Sequence, residues 1–142
     1  MSQDETRRIA QEFLARLGSG AEPEAIAALF SPDVDFHIPG DVGALPWIGR
    51  ASGRSAVVRF IAGMRELLAP KRFEVHDIFV SGNRAIILGE LASSLKATGG
   101  SVDQHYAMVL TVSGGLVTDF LMLEDSFAVS RAAQVPGPPS AP

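Results

Sequence analysis

Residues 104–125 read QHYAMVLTVSGGLVTDFLMLED, and the folding of this stretch decides the rest of the chain. Val, Leu, Met, Phe and Thr fill both arms, and Ser113-Gly114-Gly115 stands between them. That is the composition of two long strands reversed by a tight turn. The second arm is apolar almost without a break until Glu124 and Asp125. Carboxylates at the end of a mostly apolar strand are costly unless they are solvated or paired. The remaining chain therefore reads as a wrapping around this hairpin and around a pocket it lines.

Upstream of the hairpin, Arg84–Leu95 has the length and composition of a long strand, with Glu90 set among apolar residues. Arg72–Val80 alternates, which predicts Phe73, Val75, Asp77 and Phe79 on one face. Ser81-Gly82-Asn83 and the segment 97–100 are turns. Connections this short imply sequential antiparallel pairing. Before these strands, a helix opens at Ser52 or Ser55 and runs to about Leu68, with Val57, Val58, Phe60, Ile61, Met64, Leu67 and Leu68 as its apolar stripe and Pro70 as its stop.

Nearer the N-terminus, Val34, Phe36 and Ile38 alternate with Asp35 and His37, as in a short strand ending at Pro39-Gly40. A loop from Asp41 to Ala51 follows and holds the one tryptophan, Trp47. Ser2 and Glu5 have capping-box spacing for a first helix to Leu17, whose buried side is Ile9, Phe13 and Leu17. Pro23 suits the first turn of a second, shorter helix. The order predicts an α+β architecture with helices covering one face of a curved antiparallel sheet. Residues 1–134 are expected to form a single domain, and residues 135–142, VPGPPSAP, a disordered proline-rich tail.

The length of 142 residues suits one domain with a real core, and 46% hydrophobic against 20% charged residues marks a globular chain. A net charge of −4 without a basic run argues against nucleic acid and acidic membranes as partners. The sequence has no cysteine, which excludes disulfides and thiolate chemistry and fits a reducing compartment. No apolar run approaches the roughly 20 residues of a membrane helix, and the charged start lacks a signal-peptide core. The expected location is the cytoplasm.

Three pieces, Leu29–Gly40 (LFSPDVDFHIPG), Pro46–Phe60 (PWIGRASGRSAVVRF) and Ser113–Asp125 (SGGLVTDFLMLED), together resemble the nuclear transport factor two-like superfamily, in its SnoaL-like and ketosteroid-isomerase-like branch. The likeness spans about Thr6 to Ala132. It implies a cone-shaped, cystatin-like α+β half-barrel with a deep, mainly apolar pocket, dimerised through the outer face of the sheet. The superfamily holds isomerases, polyketide cyclases, epoxide hydrolases, dehydratases and proteins that only bind, so the fold leaves function open. Its epoxide hydrolases need an Arg-x-Asp on the long strand, and Arg84–Leu95 offers none after its first residue. Its steroid isomerases use an early Tyr, whereas the only tyrosine here is Tyr106.

The resemblance puts the acid or base of the active members at Asp125. A carboxylate at the mouth of an apolar pocket can hold its proton toward neutral pH and exchange it beside a carbonyl. The alternative is that Asp125 caps the segment 126–132 or is solvated. Glu124, Asp77, Asp35 and Asp119 read as surface carboxylates. His37 or His105 is the expected oxyanion donor or second acid, His37 being otherwise a satisfied histidine in the pocket wall. His105 and Tyr106 are adjacent and must point to opposite sides of their strand. His105, with smaller neighbours of its parity, is expected at the pocket, with Tyr106 as fallback. Trp47 would roof the pocket or plug it, and Phe36, Phe60 and Leu123 would line it.

The function implied is cofactor-free acid–base chemistry, an isomerisation, cyclisation or dehydration of a small hydrophobic carbonyl compound. A non-catalytic ligand-binding or dimerisation module is the alternative. No metal is expected, since the histidines at 37, 76 and 105 lack close ligand spacing, although distance in sequence does not exclude a site.

Overall fold

The fold is seen in a computed structural model, which describes residues 2–134. The expected tail from residue 135 lies outside those residues. In chain order the elements are α1 (Gln3–Gly18), α2 (Pro23–Ala27), β1 (Phe30–Ile38), β2 (Gly49–Ser52), α3 (Arg54–Leu67), β3 (Leu68–Ser81), β4 (Arg84–Leu95), β5 (Ser101–Ser113), β6 (Leu116–Glu124) and α4 (Ser126–Gln134). The strands form one open, curved six-stranded sheet in the order β2-β1-β6-β5-β4-β3. All neighbours are antiparallel except β1 and β6, which run parallel. The α+β half-barrel expected from the sequence is therefore the fold.

Local chemistry explains the boundaries. Ser2 Oγ accepts from the Glu5 N–H at 3.1 Å, which caps α1. Pro23 sits in the first turn of α2, where its missing N–H costs nothing. Leu68 is already extended and ends α3. Pro70 does not stop the chain there but lies inside β3, beside a register shift between Pro70 and Arg72. An edge strand tolerates this because no further strand needs the missing donor.

The inner face of the sheet carries the core. On β5 it shows Val102, Gln104, Tyr106, Met108, Leu110 and Val112, all buried. Opposite them on β6 are Phe120, Met122 and Glu124. Helices α1, α2 and α3 press Phe13, Ile26, Val57, Phe60 and Ile61 against this face. Aromatic rings tie the layers: Phe36 stacks on Phe120 at 4.9 Å, and Phe13 meets both Phe30 and Phe120 edge-on at 5.8 and 5.9 Å. A smaller cluster of Leu45, Ile48, Leu95, Val102, Val129 and Ala132 closes the end of the sheet beneath α4.

One facing expected from the sequence needs correction. A second register shift in β3, between Val75 and Asp77, flips the strand's parity. Phe73 and Val75 lie opposite Leu91 and Gly89 on the inner side, whereas Asp77 and Phe79 lie opposite Leu88 and Ile86 on the outer side. Gly89 is required at this bend. An added Cβ would stand 1.9 Å from the Glu74 carbonyl oxygen and 2.6 Å from Tyr106 Oη.

Candidate functional site

Between the main core and the cluster under α4 lies a narrow cavity of about 50 Å³. Its walls come from the 41–48 loop, α3, α4 and strands β3 to β6. Trp47 and Leu45 descend from the 41–48 loop, Phe60 and Met64 rise from α3, and Leu91 and Leu95 come from β4. Gln104, Met122 and Glu124 form the sheet side, and Val129 of α4 closes the end. The only polar side chains in the lining are Ser93, Gln104 and Glu124.

Glu124 is the carboxylate that faces inward. It shares the parity of Phe120 and Met122 and stands opposite Tyr106. Burial raises its pKa above the ordinary 4.5, the neighbouring Asp125 charge pushes the same way, and a hydrogen bond from Gln104 partly opposes them. Gln104 Nε2 donates to Glu124 Oε1 at 3.1 Å, and Gln104 Oε1 accepts the Asp125 backbone N–H at 2.7 Å. The second bond fixes which end of the amide is which, since only the oxygen can accept from an N–H. Oε2 of Glu124 makes no hydrogen bond among the described residues.

Asp125 stands elsewhere. It is exposed, and its Oδ1 accepts the Ala128 N–H at 3.0 Å, the geometry of a helix cap for α4. His37 points to the outer face of the sheet, paired in register with Leu121 and Arg50, while its neighbours Phe36 and Ile38 are buried. His105 also lies on the outer face, with its side chain 84% exposed, 3.9 Å from Glu90. The three residues expected to carry the chemistry thus do not converge. The expected placement of His105 at the pocket is corrected, because the larger residues of β5, not the smaller, face the helices.

The expected lining residues divide as well. Trp47 and Phe60 line the cavity, with their rings edge-on at 6.0 Å. Phe36 lines a separate cleft of about 110 Å³ together with Trp47, Arg50 and Arg59. Tyr106 is buried on the inner face but is engaged. Its ring lies flat on Phe73 at 5.1 Å, and its hydroxyl donates to the Glu74 carbonyl at 2.8 Å. Leu123, opposite Ala107, is exposed on the outer face.

The sequence reading missed Glu124 and Gln104. The signal was present, because Glu124 continues the every-second-residue series of Phe120 and Met122. On the neighbouring strand, Gln104 shares the parity of Tyr106 and Leu110.

With this geometry in view, the comparison with known families is decisive. A model of the SnoaL-like domain matches residues 10–120. The chain belongs to the SnoaL-like domain family. That places it in the nuclear transport factor two-like superfamily, as the sequence motifs implied. The match ends before Glu124, so membership does not by itself assign that carboxylate a role.

Among solved structures, an NTF2-like protein from Burkholderia xenovorans is 24% identical, with a TM-score of 0.84 over 94% of this chain and 99% of its own. TerC, crystallised with polyporic acid, is 16% identical, with a TM-score of 0.74 over 92% of this chain and 98% of its own. A protein provisionally named a SnoaL-like polyketide cyclase, from Mesorhizobium loti, is 19% identical, with a TM-score of 0.68 over 82% of this chain and 97% of its own. These likenesses establish the shared fold. No curated protein matches the sequence at a significant level. Among the described residues, no helix is long and apolar enough to cross a membrane.

Proposed function

We propose that this SnoaL-like protein is a cofactor-free acid–base enzyme of the isomerase, cyclase or dehydratase type, with Glu124 as its general acid or base and a small, hydrophobic carbonyl compound as substrate. The observation that carries the reading is the Glu124 carboxyl, held by Gln104 in a mainly apolar cavity with Oε2 unbonded among the described residues. A carboxyl whose pKa is raised by burial is a stronger base than an ordinary carboxylate, and it can both take a proton from carbon beside a carbonyl and return it. Gln104 limits the carboxyl's rotation, so Oε2 keeps its aim. Trp47, Phe60 and Met64 line the cavity beside it. A cavity of about 50 Å³ holds only a small group, so a substrate of several rings would have to move the Trp47 loop. A structural neighbour, TerC, was co-crystallised with polyporic acid, which supports reading the fold as one that takes small molecules. A reducing, cytoplasmic setting belongs to the same proposal, supported by the absence of cysteine.

The test is hydrogen–deuterium exchange at the α-carbon of a panel of small enolisable ketones, with wild-type protein and Glu124→Gln. Exchange catalysed by the wild type and lost in the variant supports the reading. Exchange that survives the substitution overturns it.

A second reading, a binding or dimerisation module, has its own observation. The outer face exposes Phe79, Ile86, Leu88 and Leu123, with Phe79 and Ile86 direct register partners, and exposed apolar side chains grouped on one sheet face suit a protein–protein contact. A homodimer through this face is proposed on that ground. Sedimentation velocity should give a dimer at micromolar concentration, and Leu88→Arg should give a monomer. A monomeric wild type sinks the proposal.

A further inference from the structure

We infer that the outer face of the sheet holds a binding site for a divalent transition-metal ion, made by Glu74, His76 and Glu90. This site is separate from the Glu124 cavity and does not depend on the reading given to that cavity. Glu74 and His76 are two residues apart on β3, and Glu90 is the direct partner of Glu74 on β4. The three donor atoms lie within 4.8 Å of one another. His76 Nε2 is 3.1 Å from Glu90 Oε2 and 3.7 Å from Glu74 Oε2. An ion with bonds of about 2.1 Å to nitrogen and oxygen, in tetrahedral geometry, sets its ligand atoms roughly 3.4 Å apart. The two observed distances bracket that edge, so coordination needs only small side-chain rotations.

The charge balance points the same way. Carboxylates on directly opposed strand residues repel and weaken a sheet, yet Glu74 and Glu90 face each other here. Arg72 lies 3.3 Å from Glu74 and 3.7 Å from Glu90, but its shortest bond, 2.8 Å, goes to Asp103. Three carboxylates against one guanidinium leave two negative charges uncompensated, which one dication would neutralise. Imidazole with carboxylates suits zinc, cobalt or nickel over calcium or magnesium, which prefer oxygen alone. Glu74 and His76 are exposed and Glu90 half-buried, so an ion can enter from solvent and keep water in its remaining position.

The experiment uses the full chain without an affinity tag. Zinc chloride is titrated by calorimetry, and the three imidazoles are followed by NMR in the same titration. The expected result is one saturable site per chain, with a shift of the His76 ring and none of the His37 ring. His76→Ala and Glu90→Gln should each weaken binding by about tenfold or more, with circular dichroism unchanged because both side chains lie on the sheet surface. No saturable binding, or unaltered affinity in both folded variants, overturns the site.

Discussion

Glu124 and Asp125 are neighbours in sequence but belong to different structures: Glu124 turns into the apolar cavity and is held by Gln104, whereas Asp125 turns out and caps α4 through the Ala128 N–H. A single amide joins them, since the same Gln104 that donates to Glu124 accepts from the Asp125 backbone. Burial and capping therefore assign two adjacent carboxylates different work.

Substitutions should separate the two. Glu124→Gln keeps the shape and removes the exchangeable proton, so the proposed turnover should be lost while the fold persists. Asp125→Asn retains a capping oxygen and should leave both stability and turnover near wild type. Asp125→Ala removes the cap and should cost about 1 kcal/mol, measured by urea denaturation. Turnover lost in Asp125→Asn but kept in Glu124→Gln would reverse the assignment.

The raised pKa of Glu124 has a consequence for stability against pH. The folded state holds this proton more tightly than the unfolded chain does, so in this window it binds more protons and stability falls as pH rises. The contribution is fully present below the ordinary value of 4.5 and is lost as pH climbs through the raised folded value. Glu124→Gln should lack this decline, so its stability relative to wild type should increase from pH 4 to pH 7. Parallel melting curves across that range would show that Glu124 does not carry the shift.

Much of the fold was legible because the strand-forming residues run in long segments and the turns between them carry glycines. Arg84–Leu95 has the same limits in sequence and structure, and Ser2 caps α1 as its spacing predicts. The site was less legible, for physical reasons. Facing on β3 depends on a one-residue register shift that no residue type announces. On β5 both parities are apolar, so the choice between His105 and Tyr106 needed the positions of the helices. On β6 the last acidic residue drew attention as the family's acid, although parity with Met122 puts Glu124 inside.

Tyr106 is a sensitive reporter of the inner face. Burial pushes its pKa up to about 12, so it stays a neutral donor to the Glu74 carbonyl at ordinary pH. As the only tyrosine, it can be followed directly by ultraviolet absorbance, and ionisation should begin well above pH 10. Because the folded value is raised, stability should fall between pH 10 and 12. Tyr106→Phe should cost about 1 kcal/mol for the lost hydrogen bond. Gly89→Ala should cost about 3 kcal/mol, since its Cβ would collide with the β3 backbone and the tyrosine ring. An ordinary tyrosine titration would mean that this packing is not formed in solution.

The last prediction concerns the roof of the cavity. Gly63 lies in the middle of α3, where alanine would normally gain about 1 kcal/mol of helix propensity. Here an added Cβ would stand 3.0 Å from two ring carbons of Trp47, which packs across the helix at that point. The ring must give by a few tenths of an ångström, and the loop that carries it is tied to α4 by the Ser130 hydroxyl donating to Asp41. Gly63→Ala should therefore leave stability nearly unchanged, the gain and the contact cost offsetting each other. Trp47 should nevertheless move toward water. With one tryptophan in the chain, the readout is its fluorescence, expected to shift to longer wavelength. If Trp47 guards Glu124, the same variant should lower the Glu124 pKa toward 4.5 by letting water reach the carboxyl. An unshifted emission with an unshifted Glu124 titration would place the roof elsewhere in the cavity wall.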